Sequence, residues 1–426
     1  MKLAVVVQRY GLDVSGGAEL EGRLIAERLA RHATVEVLTT CARDYLEWRN
    51  EFPAGIDEVR GIRVRRFKVA RPRRLPEFGR RSALVFERQH SLADELKWLT
   101  SQGPVCPALI RHIRRSRRDF DFFVFVSYRY YQSWHGARAA ADRAVLVPTA
   151  ERDPAIGLAL FGPVFRGARA IFYNTPEERA LIQNVSGRSG PGAVVGVGSD
   201  VPERPQPWRA RKALELKRPF AIYIGRLDPN KGCRTLFEYF IRYAARHPRG
   251  LDLLVVGRGD LAVPPHPRIR HAGFLSESDK FDALSAADVL IMPSPYESLS
   301  IVTLEAWALG KPVLVNGRCD VLRGQCLRSG GGLFFDTYEE FDEALYALEG
   351  AGPLGGVLGQ SGREYYKRHY SWPVVERRYL EVFERLKREP PGAPIAPLPG
   401  FFRRRQPVEP PGRQIMNAAP AGAVVR

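Results

Sequence analysis

Short apolar runs alternate with stretches of helical period along most of this chain, and Gly- or Pro-bearing loops separate them. The first run, 3–7, is followed by Gly16-Gly17 and a segment whose Leu20, Leu24, Ile25 and Leu29 fall on one helical face. Apolar strands are then expected at 35–38, 62–69, 122–126, 145–147, 170–173 and 194–198, with helices at 91–100, 108–118 and 176–183 between them. A Pro- and Arg-rich linker over 200–217 interrupts the pattern, which then restarts. Strands are expected at 220–224, 251–256, 269–271, 289–292 and 313–315, helices at 278–286, from about 300 to 309 and at 338–348, and a last amphipathic helix at 374–387. Strand–turn–helix order repeated in this way predicts an α/β chain with parallel sheets. The expected division is 1–203 and 204–372 as two nucleotide-binding-type halves, 373–388 as a closing helix, and 389–426 as a disordered tail rich in Pro, Gly, Ala and Arg.

The chemistry sits in loops at strand ends, where open α/β sheets bind ligands. Strand 220–224 runs into Gly225-Arg226-Leu227-Asp228-Pro229-Asn230-Lys231-Gly232. There the planar fork of Arg226 and the compact charge of Lys231 can clamp a diphosphate. Strand 289–292 leads to Glu297 and then a helix start, where the N–H groups of Leu299, Ser300 and Ile301 are suited to an anion. Glu297 and Glu305 are placed to accept hydrogen bonds from sugar hydroxyls; alternatively, Glu297 merely complements the helix dipole and Glu305 is an exposed helix residue. Gly16-Gly17 permits either a tight turn or close approach of a ligand. It lacks GxGxxG spacing, so a nicotinamide cofactor is not implied. The polar run after 145–147 brings Glu151 and Asp153 to the cleft side. Asp119-Phe120-Asp121 reads as a strand entrance rather than a metal site, and no cofactor is expected.

Length and composition add bounds. The 426 residues allow two to three domains, and 45% apolar with 26% charged is ordinary for a globular chain. Five scattered cysteines, Cys41, Cys106, Cys233, Cys319 and Cys326, match no zinc spacing, which predicts a reducing compartment and no structural metal. The first apolar run is too short for a signal peptide, and no run nears the ~18–20 residues that span a bilayer, so a cytoplasmic location is expected. The net charge of +18 is uneven: ten basic residues and one acid, Glu77, lie between Arg60 and Arg81, and Arg111, Arg114, Arg115 and Arg118 recur at helical spacing. Anionic lipid, plain solvation and nucleic acid are the competing partners of such a surface. Lipid is ranked first, and nucleic acid is set aside for want of any motif.

Taken together, Gly16-Gly17-Ala18-Glu19, the loop 225–232, Glu297 with Glu305 on a helix ending Ala308-Leu309-Gly310-Lys311-Pro312-Val313, Gly196-Val197-Gly198-Ser199-Asp200 and Ser371-Trp372 resemble family 4 glycosyltransferases. The resemblance spans roughly 1–386 in the right order. It implies a GT-B fold, with two Rossmann-like domains facing each other across a cleft and a C-terminal helix returning to the first. It also implies retaining, metal-independent transfer from a UDP- or GDP-linked sugar to a lipid-linked or polysaccharide acceptor, on the inner face of the plasma membrane. By that resemblance Arg226 and Lys231 would bind the diphosphate, Glu297 the donor sugar and Glu305 the ribose. Backbone at Gly225 and Gly257 and the pair Phe274-Leu275 would hold the nucleotide, and Gly16-Gly17 would close over the phosphates. One departure stands out. Relatives carry a histidine in the loop after the strand resembling 145–147, whereas this chain has Ala150-Glu151-Arg152-Asp153. Glu151 or Asp153 would then take its place, or the donor would be held differently, or the chain would be a non-catalytic subunit of an assembly complex.

Overall fold

The structure, a computed structural model, describes residues 1–187, 190–350 and 352–398. Eight strands form the first sheet: β1 (Lys2–Val6), β2 (Thr34–Thr40), β3 (Gly55–Val59), β4 (Ile62–Phe67), β5 (Phe122–Val126), β6 (Ala144–Val147), β7 (Ala170–Tyr173) and β8 (Gly192–Val194), in the order β3-β4-β2-β1-β5-β6-β7-β8. All neighbours are parallel except the β3–β4 hairpin. Six parallel strands form the second: β9 (Phe220–Ile224), β10 (Asp252–Val256), β11 (Ile269–Gly273), β12 (Val289–Met292), β13 (Val313–Asn316) and β14 (Gly332–Phe335), in the order β11-β10-β9-β12-β13-β14. Central strands are buried from end to end because helices cover both faces, which explains their unbroken apolar runs.

Both sheets are doubly wound, and strand order reverses between β1 and β5 and again between β9 and β12. The second reversal places the loops after β9 and β12 side by side, and these are the loops that carry Arg226, Lys231 and Glu297. Helix Trp372–Arg388 crosses back onto the first sheet. Phe383 packs on Phe122 and Phe172 at ring distances of 5.2 Å, and Tyr379 meets Phe172 at 4.9 Å. A fully buried Phe of this kind contributes roughly 1.5–3 kcal/mol. The fold expected from the resemblance is the fold found.

Several elements depart from the sequence expectation. Strand β3 was not anticipated, since it is short and exposed along nearly its whole length, Ile56 included, and it joins β4 through Arg60 and Gly61, both at positive φ (51° and 76°). Helix Leu75–Glu87 was also missed: Phe78, Val85 and Phe86 face the core, with Phe78 and Phe86 on the Trp98 ring at 6.4 and 5.5 Å, but only Val85 is fully buried and Gly79 with Arg80-Arg81 interrupts the pattern. The linker holds helix Pro207–Ala213, which packs on helix Glu277–Ala286, and the Gln206 N–H donates to Asp282 at 2.5 Å. The start of the tail is a correction: Ile395, only 8% exposed, packs against Gly167, and Arg138 donates to the Ala396 carbonyl at 3.1 Å. Two apolar residues among prolines, Ile395 and Leu398, leave no periodicity from which to read this contact. Residues 399–426 of that tail lie outside the described residues.

Candidate functional site

Where the chain leaves β9, Gly225 lies tight against Tyr223, whose hydroxyl donates to the Arg226 carbonyl at 2.8 Å. Asp228 caps the short turn that follows, accepting the Asn230 N–H at 2.8 Å, and pairs with Arg226 at 2.8 Å. Gly232 stands at φ 73°, and a Cβ there would sit 2.1 Å from the Pro293 carbonyl, so only glycine lets this loop meet the one after β12. The result is a pair of loops in contact, with Lys231 projecting between them.

Lys231 is the hub. Its Nζ lies 2.8 Å from Glu297 Oε1, 3.3 Å from the Tyr296 carbonyl and 3.9 Å from Glu151 Oε1, which comes from the first sheet. Burial opposes the charge on Lys231, but Glu297 and Glu151 outweigh it and hold the ammonium above its ordinary value. Glu151 responds the other way: burial and the negative charge of Glu297 push it up to about 7, against the pull of Lys231. Arg226 is half exposed and reaches over the Tyr45 ring of the first half at 5.7 Å. Arg9 stacks on the same ring at 5.5 Å.

Glu305 is fully buried on helix Ile301–Ala308, accepting from Ser199 Oγ at 2.7 Å and Lys280 Nζ at 3.0 Å. The reading of Glu305 as an exposed helix residue is therefore wrong. Burial pushes it above its ordinary value, with Lys280 and Ser199 opposing. Its second oxygen, Oε2, is buried without a protein hydrogen-bond partner. At the start of that helix Ser300 stands at φ 66° and Leu299 is buried, so the chain turns sharply before Ile301.

The remaining expected residues divide. Gly16 (φ 140°) leads into helix Gly17–Leu29, and a Cβ there would strike Glu19 at 2.1 Å, whereas Gly17 faces open space. Gly257 approaches so closely that a Cβ would lie 1.9 Å from the Gly225 carbonyl. Its N–H donates to Gly273 at 2.7 Å and its carbonyl lies 2.9 Å from His271 Nε2, so its backbone shapes the loop and is already paired. Phe274 is two-thirds exposed, and Leu275 packs on the core. Of the two acidic candidates after β6, the structure brings only Glu151 to Lys231. Asp153 instead pairs with Arg129 at 2.7 Å and caps the turn Pro154–Gly157. Asp121 accepts the Lys2 N–H at 2.7 Å, the strand-entrance role expected for it. Among the described residues no group of three or more His, Cys, Asp or Glu is placed to hold a metal ion.

Sequence reasoning missed Lys280, Tyr45 and the tie between Thr175 Oγ1 and the Ser298 carbonyl (3.2 Å). Each is remote in the chain from the residue it serves, so no local spacing announces it. Backbone geometry could have been a clue only in three dimensions. Ser127, Thr149 and Ser300 all adopt left-handed φ (65°, 47°, 66°) at strand ends or the helix start facing the cleft. For a β-branched residue such as Thr149 that costs of order 1–3 kcal/mol.

Two doubly wound sheets, with a lysine, an arginine and two carboxylates gathered where the second one reverses, define the GT-B class. Residues 218–348 match the family described as Glycosyl transferases group 1, and they hold Arg226, Lys231, Glu297 and Glu305. The chain is 29% identical to the lipopolysaccharide core biosynthesis glycosyltransferase LpsE of Rhizobium meliloti, over 51% of this chain and 65% of that protein, slightly less than two thirds of its length. It is 25% identical to the D-inositol 3-phosphate glycosyltransferase of Corynebacterium urealyticum, over 91% of this chain and 95% of that one. In fold it is similar to the sucrose-phosphate synthase of Thermosynechococcus elongatus (TM-score 0.66, 18% identity, 91% of this chain and 99% of that one). The same holds for Anabaena Alr3699/HepE, solved with UDP and glucose (TM-score 0.66, 14% identity, 90% and 100%).

Proposed function

We propose that this protein is a glycosyltransferase that moves a sugar from a UDP- or GDP-linked donor with retention of anomeric configuration, without a metal ion. The observation that carries the reading is Lys231, held at 2.8 Å from Glu297 between two strand-end loops, beside Arg226 and the start of helix Ile301–Ala308. A cation, a guanidinium fork and helix N–H groups aimed at one point stabilise the charge of a departing diphosphate. Glu297 accepts from donor-sugar hydroxyls, and Glu305 Oε2, the buried oxygen without a partner, accepts from the ribose. Glu151 stands where relatives place a histidine and faces the sugar from the first half. The leaving phosphate oxygen takes the acceptor's proton, so no protein nucleophile is required. Proton NMR of the sugar released or transferred from UDP- and GDP-hexoses is the test: an unchanged anomeric configuration at first appearance supports retention, and inversion overturns it.

The acceptor side is read as a lipid-linked or polysaccharide intermediate met at an anionic membrane surface on the cytoplasmic side. Much of the basic run is occupied within the protein: Arg60 pairs with Glu27, Arg65 with Glu36, Arg66 with Asp57 and Arg81 with Glu77. Lys68, Arg71, Arg74 and Arg80 remain exposed, beside Leu75, which is 40% exposed at the start of helix Leu75–Glu87. Arg111, Arg114 and Arg115 are exposed on a helix whose Leu109, Ile110 and Ile113 are buried. At ~1 kcal/mol per basic residue near anionic lipid, reversing the charge at Arg71, Arg74 and Arg80 is expected to weaken vesicle binding by at least about 10²-fold, the loss of attraction alone. Sedimentation with phosphatidylserine vesicles measures it, and unchanged binding removes the membrane surface as partner. Among the described residues no helix is long and apolar enough to cross a membrane.

A further inference from the structure

The loops that leave β6 and β7 each carry a residue that reaches the other half of the protein, and one buried carboxylate ties them together. Glu178, on helix Pro176–Ser186 and wholly inaccessible to solvent, accepts the Ala150 N–H through Oε1 and the Asn174 N–H through Oε2, both at 2.6 Å. Ala150 precedes Glu151, whose carboxylate lies 3.9 Å from Lys231 Nζ. Asn174 precedes Thr175, whose Oγ1 donates to the Ser298 carbonyl at 3.2 Å and accepts the Glu178 N–H at 3.1 Å. Ser298 follows Glu297 directly in the chain. On the other side of Ala150, Thr149 is held at φ 47°, a left-handed conformation that a β-branched residue leaves unless its surroundings hold it.

We propose that Glu178 is a positioning residue for sugar transfer: by accepting both N–H groups it fixes Glu151 opposite Lys231 and Glu297 and seats Thr175 against Ser298. The proposal rests on the transferase reading above. Glu178 is wholly buried and its carboxylate is taken up by the two backbone N–H groups, so its effect passes through the two loops. Asn174 is braced from the other side as well, donating through Nδ2 to the buried Glu21 at 2.9 Å. A carboxylate serves two donors in a way no amide can, since the amide offers one oxygen and turns its NH₂ toward the other N–H.

Glu178→Gln therefore leaves one loop without its acceptor, and three readouts on the full chain separate positioning from mere support of the fold. Amide exchange at residues 149–151 or 174–175 is expected to quicken at least 10-fold while strands β5 and β9 keep wild-type protection. The affinity for UDP or GDP is expected to stay within 3-fold, because Arg226, Lys231 and the helix after Ser300 are untouched. Turnover of the sugar donor is expected to fall 30-fold or more, yet less than 3-fold when Glu151→Gln is already present, since both changes then act on one group. Wild-type turnover in Glu178→Gln, full multiplicative loss in the double variant, or a loss of nucleotide affinity that tracks lowered thermal stability overturns the proposal. If Glu178→Gln does not accumulate folded, Thr175→Val cuts the same chain of bonds at Ser298 and carries the test: lost turnover at retained affinity supports it, and wild-type turnover overturns it. Failure of the wild type to bind either nucleotide strikes the transferase reading, whereas normal binding with unaltered turnover in the variants strikes the positioning role alone.

Discussion

Lys231→Ala is expected to abolish sugar transfer and to weaken nucleotide diphosphate binding by about 10²–10³-fold, because the loss is larger than one missing contact. The ammonium stands between Glu297 at 2.8 Å and Glu151 at 3.9 Å. Removing it leaves two carboxylates facing the place where a diphosphate belongs. Truncating one partner of a buried charge pair costs about 2–5 kcal/mol, much of it from the charge left behind; this pair is only partly buried, which places it at the low end, and like-charge repulsion of the ligand adds to that. Burial pushes Glu151 up to about 7 even with Lys231 present, and without the cation its carboxylate is disfavoured further. At alkaline pH, where Glu151 keeps its charge, Glu151→Gln added to Lys231→Ala should recover part of the binding while leaving transfer absent. Calorimetric titration of both variants checks this. Binding by Lys231→Ala within a few-fold of wild type would remove the lysine from the site.

Glu297→Gln is expected to separate binding from chemistry. The amide keeps the size of the side chain and one acceptor oxygen, so the loop after β12, held by Asn316 Nδ2 on the Pro293 carbonyl (2.9 Å) and Ser294 Oγ on the Tyr296 carbonyl (2.9 Å), keeps its shape. Nucleotide affinity should stay within about 3-fold. Turnover should fall by ~10²–10³, the range for removing one charged group aimed at a transition state, or about 2.7–4 kcal/mol. Initial rates with a saturating donor measure it, and a kcat within a few-fold of wild type contradicts the role given to Glu297.

The cluster around Lys231 was legible in large part because its charged residues lie in contiguous stretches. Gly225–Gly232 and 293–313 carry their cations, carboxylates, prolines and glycines within two short stretches, and the strands before them are unbroken apolar runs that a doubly wound sheet buries on both faces. The first half was legible as strands but poorly as a site. Asp153 and Glu151 look equivalent in the sequence, yet one caps the turn Pro154–Gly157 and pairs with Arg129, and the other meets Lys231. A two-residue offset at a loop end decides which, and the left-handed Thr149 that sets it has no signature in the sequence. Glu178 was invisible for a different reason: it works on backbone N–H groups, which every residue but proline carries. The Glu305 network joins Ser199, Lys280 and Glu305 from three separate elements, and the Tyr45–Arg226 contact spans both halves, so only the folded chain shows them. Strand β3 has no buried face, and the apolar face of helix Leu75–Glu87, formed by Phe78, Val85 and Phe86, is interrupted in the sequence by Gly79 and Arg80-Arg81.

The central claim is that the loops after β9 and β12 form a nucleotide diphosphate site with Lys231 at its centre. Calorimetric titration of the purified chain with UDP and with GDP, repeated with Lys231→Ala, tests it most directly. Binding of one nucleotide in the micromolar range, worth roughly 7–8 kcal/mol, and its loss in the variant is the predicted result. Binding of neither nucleotide, or binding that Lys231→Ala leaves intact, would contradict it.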